Sequence, residues 1–167
     1  MVAYRRNRVP GGTYFFTVTL KDRSARTLID HVEMLRESVT TVRARWPFTI
    51  DAMVVLPDHL HALCTLPDGD TDYSTRWRLI KSGFSRSLRG ASTPSVWQNR
   101  YWEHTIRDDE DYRRHVEYIW FNPVKHGHVE RVGDWPHSSF HRAVRQGLVA
   151  ADWGGSVRVE QESGYGE

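Results

Sequence analysis

The segment Met53-Val54-Val55-Leu56-Pro57-Asp58-His59-Leu60-His61-Ala62-Leu63 sets two apolar, strand-like runs on either side of a Pro-Asp break and places two imidazoles one residue apart in the second run. Phe48 to Leu56 reads as one strand, Pro57-Asp58 as a tight turn, and His59 to Leu66 as the next strand. Side chains alternate along a strand, so His59 and His61 share a face and Leu60 takes the other. Burying two histidines among Val, Leu and Ala costs desolvation free energy, which a metal ion shared by both rings would offset. His-X-His triplets also arise by chance in many chains, so the pair read alone does not establish a metal site.

Outward from this hairpin the chain alternates strands and helices. Thr13 to Leu20, rich in β-branched and aromatic residues after Pro10-Gly11-Gly12, reads as a first strand. From Thr27 to Trp46 the apolar residues Leu28, Val32, Leu35, Val39, Val42 and Trp46 follow a helical period that Pro47 stops. Beyond the Pro67-Asp68-Gly69-Asp70 break, Trp77, Ile80, Phe84 and Leu88 mark a second helix. Trp97 to Ile106 reads as a fourth strand. Asp108 or Asp109 caps a third helix expected to end near Asn122, because the residue before Pro123 disfavours helical geometry. A β-α-β-β-α-β order followed by a helix predicts an α+β, ferredoxin-like sandwich: one antiparallel sheet with helices on one face. A short helix is possible after Ser139.

On the third helix Tyr112, Val116, Ile119 and Trp120 form the apolar stripe, and Tyr118 falls about 140° from its centre at 100° per residue. Beside Tyr118 on the helix surface lie Asp111, His115 and, one turn on, Asn122. Such a tyrosine is either presented to a partner or a plain surface residue with a solvated hydroxyl.

With 167 residues, 39% of them apolar and seven tryptophans, the chain has the material for one ordinary domain, expected over residues 1–151, with an acidic, Gly-rich flexible tail over 152–167. The single cysteine, Cys64, excludes an internal disulfide, and neither a secretory signal nor a membrane span is legible, so a cytoplasmic protein is expected. Net charge is only +2, but the cations cluster: Arg5, Arg6 and Arg8 open the chain, and Arg76, Arg78, Lys81, Arg86 and Arg89 follow one another with no acid between them. That pattern suits a phosphate-facing surface, and equally a solvated helix face. No Gly-x-x-x-x-Gly-Lys-Ser/Thr loop for nucleotide phosphates is present.

Pro57-Asp58-His59-Leu60-His61, Trp97-Gln98, Tyr101-Trp102-Glu103-His104, Ile106-Arg107-Asp108, Tyr118-Ile119, Asn122-Pro123-Val124-Lys125-His126-Gly127 and Trp135-Pro136-His137-Ser138-Ser139-Phe140, with Tyr4-Arg5-Arg6 and Pro10 to Phe16 at the start, together resemble the REP-associated tyrosine transposases. These belong to the wider His-hydrophobic-His single-strand nucleases. The resemblance runs to about Trp153. It implies that Tyr118 is the nucleophile and that His59, His61 and Asn122 hold a divalent ion, Mg²⁺ or Mn²⁺. Asn122 stands where related transposases more often carry glutamine, and Trp120 where a smaller or more polar residue is usual. The implied substrate is single-stranded DNA bearing a repetitive extragenic palindrome (REP) hairpin, cut through a covalent 5′-phosphotyrosine and rejoined without a nucleotide cofactor.

Arg5, Arg6, Arg8, Arg76, Arg78, Lys81, Arg86, Arg100, Arg107 and Lys125 are the candidate DNA contacts. Lys125, His126 and His115 lie near Tyr118 in sequence as candidate acceptors of its proton. A monomer and a homodimer both fit. Two other classes compete: a non-catalytic hairpin-binding protein, and a zinc-stabilised module using His59, His61, Cys64 or His104. Cys64 argues against the second, because its odd separation from both histidines turns it to the opposite face.

Overall fold

A computed structural model describes residues 5–90, 94–154 and 165–166. Tyr4 and most of the stretch expected to form the tail, 155–164 and 167, lie outside the described residues. The elements in order are β1 (Thr13–Thr19), α1 (Thr27–Asp30), α2 (Val32–Arg45), β2 (Thr49–Val55), β3 (His59–Thr65), α3 (Tyr73–Arg89), β4 (Trp102–Thr105), α4 (Asp109–Lys125), a 3-10 turn (Val132–Asp134) and α5 (Phe140–Arg145). The four strands form one sheet in the order β2-β3-β1-β4, with antiparallel neighbours throughout. This is the α+β antiparallel sheet with packed helices expected from the element order, except that helices cover both of its faces rather than one.

The sheet separates two cores. Tyr14, Phe16 and Val18 of β1 and Leu60, Ala62 and Cys64 of β3 pack under α2 and α3 with Leu35, Trp77 and Phe84. Phe15 of β1, Leu63 of β3 and Ala52 and Val54 of β2 pack on the other face, against Tyr118 and Ile119 of α4. The two crossover helices thus share one face and the third helix covers the other, the face that carries His59 and His61. Cys64 sits in the opposite core, where burial pushes its thiol pKa up, so it cannot join those histidines at a zinc ion.

Three boundaries and one charged residue differ from the sequence expectation. The helix expected over 27–46 breaks at His31, because Leu28 N–H bonds Pro57 O and ties α1 to the β2–β3 turn. The fourth strand is shorter than expected: the chain touches β1 at Trp97 and Gln98, leaves it, and returns at Trp102. Helix α4, capped by Asp108, runs through Pro123 to Lys125 rather than stopping at Asn122. Pro123 gives up one N–H in the last turn, and a Schellman closure ends the helix, with Gly127 N–H to Val124 O, His128 N–H to Pro123 O, and Gly127 at φ 73°.

The fourth difference concerns charge. Arg76 is buried at 3% exposure and spends four of its five N–H donors on Asp70, Asp72 O, Trp46 O and Pro47 O, so it is not presented at the surface as the charge run suggested. Edge strand β2 is covered by the segment at 137–139, through Val55 N–H to His137 O and Ser139 N–H to Met53 O. Among the described residues no helix is long and apolar enough to cross a membrane.

Candidate active site

The site lies where the β1–β3 pair meets α4. In the antiparallel register His59 faces Thr19 and His61 faces Thr17, and both imidazoles are buried. Their ring centres lie 4.9 Å apart and nearly perpendicular. The Tyr118 ring stands 5.3 Å from that of His61, with Phe15 beside both at 5.5 and 6.0 Å. One turn after Tyr118, Asn122 is fully buried on the same helix face.

Helix α4 therefore turns a different face to the sheet from the one its apolar stripe suggested. Its buried row is Asp111, His115, Tyr118, Ile119 and Asn122, and Tyr118 is only 3% exposed. Tyr112, Val116 and Trp120 are half-buried along the flank, where Tyr112 donates to Asp51 and the Trp120 indole lies against Phe140. A helix that covers polar groups presents polar groups, and periodicity of apolar residues alone then points to the wrong side.

Hydrogen bonds fix the tautomers of both sheet histidines. Asp58 Oδ1 lies 2.9 Å from His59 Nδ1, and a carboxylate only accepts, so Nδ1 carries the proton and the ring lone pair sits on Nε2. Burial works to raise the Asp58 pKa, but Arg23 and His59 outweigh it and hold the carboxyl below its ordinary value. Thr17 Oγ1 lies 2.8 Å from His61 Nδ1 and donates its own hydrogen to Tyr165 O. It must therefore accept from His61, which again puts the lone pair on Nε2. Two imidazoles so oriented, with the buried Asn122 amide one helical turn after Tyr118, are a donor set suited to a divalent ion.

At the Tyr118 hydroxyl, Lys125 Nζ approaches to 3.1 Å and also lies 4.9 Å from the ring centre. Tyr165 stacks on Tyr118 at 3.8 Å with 11° between the planes, and its ring also meets Phe15 and His115 edge-on. Sequence reasoning missed Thr17, Phe15 and Tyr165 because each acts across a long sequence separation. Asp58, adjacent to His59, was open to being read as its anchor.

A second cluster stands nearby. His104, Asp111 and His115 bring their ligand atoms within 4.8 Å of one another, close enough to hold a metal ion. Several of those atoms are already engaged, however: His104 Nε2 donates to Asp111 Oδ2 at 2.8 Å, His115 Nδ1 donates to the Asp111 backbone O at 2.7 Å, and the Arg107 backbone and guanidinium also donate to Asp111 Oδ2. The cluster thus ties α4 to β4, and burial holds the His115 pKa below its ordinary value.

Burial tends to raise the Asp111 pKa, but the bonds from His104 and Arg107 hold it well below the usual carboxylate value. Its folded pKa is therefore below its unfolded one, so its contribution to stability is complete above about pH 4 and is lost as pH falls below that. Asp111→Asn should accordingly flatten the fall of Tm between about pH 4 and pH 2, measured by thermal denaturation. An unchanged acid limb would remove Asp111 from the account.

Of the remaining candidate DNA contacts, Arg5, Arg8, Arg78, Arg86, Arg100, Arg107 and Lys125 are exposed. Arg6 pairs with Glu103 and lies over the Tyr101 ring, while Lys81 Nζ donates to Gln98 O. Arg8 bonds Thr71 O and Ser74, and Arg107 is engaged by Asp111.

No protein-family model matches the chain. It is 50% identical over 157 residues to the REP-associated tyrosine transposase of Escherichia coli K12, an alignment that covers 94% of this chain and 93% of that protein. The chain belongs to the REP-associated tyrosine transposases. A Haemophilus influenzae relative is 42% identical over 167 residues, covering 93% of this chain and 95% of its own length. Among solved structures, a REP-associated tyrosine transposase bound to a REP hairpin superposes with a TM-score of 0.93 at 48% identity, covering 100% of this chain and 98% of that one.

Proposed function

We propose that this member of the transposase family is a single-strand DNA endonuclease and strand transferase that acts beside REP-type hairpins through a covalent 5′-phosphotyrosine on Tyr118. The observation that carries this reading is the placement of Tyr118 against the His59–His61 pair with an ammonium at its hydroxyl. Tyrosine is a poor nucleophile with its proton in place. Lys125 donates to the oxygen and so favours the phenolate, both when the tyrosine attacks phosphorus and when it leaves again on rejoining. The phenol gives its proton to solvent and its oxygen bonds phosphorus as the P–O bond to the 3′ oxygen breaks; the 3′ oxygen takes a proton from solvent and departs as the 3′-hydroxyl, and the phosphate stays on Tyr118 as the energy store for resealing. His59, His61 and Asn122 would hold the Mg²⁺ or Mn²⁺ ion, whose charge polarises the phosphate oxygens.

The deciding experiment uses a hairpin oligonucleotide with single-stranded flanks, labelled at either end, incubated with the protein and Mn²⁺ or Mg²⁺. The reading requires a denaturation-resistant adduct carrying only the label 3′ of the cut, no cutting of duplex DNA and no cutting in EDTA. Hairpin binding without adduct or cleavage would instead favour a non-catalytic binding protein.

The Tyr165 ring lies flat on one face of Tyr118, and a substrate strand laid against that face would have to displace it. If that stacking contributes about 0.5–1.5 kcal/mol, the substrate-competent fraction is reduced about 2–10-fold. Tyr165→Ala should then raise the single-turnover cleavage rate at subsaturating DNA by that factor. An unchanged rate would mean that Tyr165 leaves the site at no cost.

A further inference from the structure

We infer that His126 is a fourth protein ligand of the metal ion at His59, His61 and Asn122; this rests on the metal-dependent reading above and extends it. The first support is ring geometry. Two imidazoles bound through nitrogen at about 2.1 Å place their ring centres about 4.6–5.3 Å apart when the angle at the ion is roughly 90–110°. The His59–His61 separation is 4.9 Å at 82°, and the His59–His126 separation is 5.2 Å at 75°. His126 therefore stands to His59 as His61 does.

The second support comes from the helix and is independent of the rings. His126 follows Asn122 by four residues, and its N–H bonds Asn122 O, so the helical repeat persists to this point. Two side chains four apart on one helical edge can grip one ion, as the paired histidines of a His-Glu-x-x-His helix do. Gly127, at φ 73°, turns the chain away immediately afterwards and fixes His126 as the last residue of that edge. Helix α4 would thus supply an amide and an imidazole, and β3 two imidazoles. His126 is exposed, which sets it on the open side of the site, where an arriving phosphate oxygen can replace it.

His128 supplies the control. It is also exposed and its ring lies 6.2 Å from that of His126, but it falls after the glycine and off the helical edge.

The test is a Co²⁺ titration of the full chain, read by visible ligand-field absorption, with Mn²⁺ affinity measured in parallel by electron paramagnetic resonance of the free ion. His126→Ala should weaken binding about tenfold or more and alter the Co²⁺ spectrum, and added imidazole should restore the spectrum. His128→Ala should match wild type, and His59→Ala should abolish specific binding. If His126→Ala binds with wild-type affinity and spectrum while His59→Ala does not bind, His126 is no ligand and the His59–His61 site survives. If His59→Ala binds as wild type does, the metal reading itself falls and this assignment with it. Near-ultraviolet circular dichroism of each variant separates lost ligation from lost folding, and a folded His126→Phe variant, whose ring cannot ligate, that binds as wild type does would also overturn the assignment.

Discussion

Tyr118→Phe is expected to lower single-strand cleavage by at least about 10⁴-fold and to abolish the covalent adduct, because the substitution removes the atom that the proposed mechanism bonds to phosphorus. The fold should survive. The lost hydroxyl bonds an exposed lysine, so its removal should cost about 1 kcal/mol or less in urea unfolding, and hairpin binding should persist in a gel-shift assay. The comparison that gives the result meaning is Tyr112→Phe. The Tyr112 hydroxyl is half-buried and bonded to Asp51, and burial together with that carboxylate pushes its pKa up to about 12. It is therefore both misplaced and hard to ionise, and its loss should leave cleavage near wild type. Adduct formation by the Tyr118→Phe protein would transfer the nucleophile elsewhere and sink the proposed mechanism.

Those two tyrosines also mark where sequence stopped being sufficient. The strands were legible because parity is local: Leu60 and Cys64 had to oppose His59 and His61, and the two cores divide along that line. Helix rotation was not, since the row facing the sheet is Asp111, His115, Tyr118, Ile119 and Asn122, and nothing in its hydropathy distinguishes it from a solvated edge. Only knowing that the opposed sheet face carries histidines explains why the helix buries its polar side. Arg76 failed for a related reason. Within the run from 76 to 89 it looks like one more surface cation, yet two of its partners are the carbonyls of Trp46 and Pro47, supplied by the end of another helix. Pro123 was read as a stop because the residue before a proline disfavours helical geometry, yet the helix carries Asn122 and Pro123 inside its last turns, where the one lost N–H is tolerable because Gly127 closes the end. Tyr165 lies in a stretch whose glycine and acid content gave no reason to expect a partner, and its contacts with Thr17 and Tyr118 exist only in three dimensions.

Phe15→Ala should be the most destabilising single change at the site, by about 3–5 kcal/mol in urea unfolding, a large share of the 5–15 kcal/mol typical of such a domain. Phe15 is fully buried in β1, paired in register with Leu63 on one side and His104 on the other. Its ring meets those of His61, His115 and Tyr118 at 5.5, 4.9 and 6.0 Å. A cavity there would remove the surface against which both His61 and Tyr118 are packed. Phe15→Leu separates the two roles, since it retains most of the volume and should cost only about 1–1.5 kcal/mol. It nevertheless removes the flat face against which His61 stacks at 18°, so Tyr118 and His61 gain freedom relative to each other. A misplacement of about 1 Å can cost about 10²-fold in rate, so single-turnover cleavage by Phe15→Leu should fall far more than its stability does. Should Phe15→Leu cleave at the wild-type rate, Phe15 would be a filler of volume, and the spacing of His61 from Tyr118 would have to be set by the β3 and α4 backbones alone.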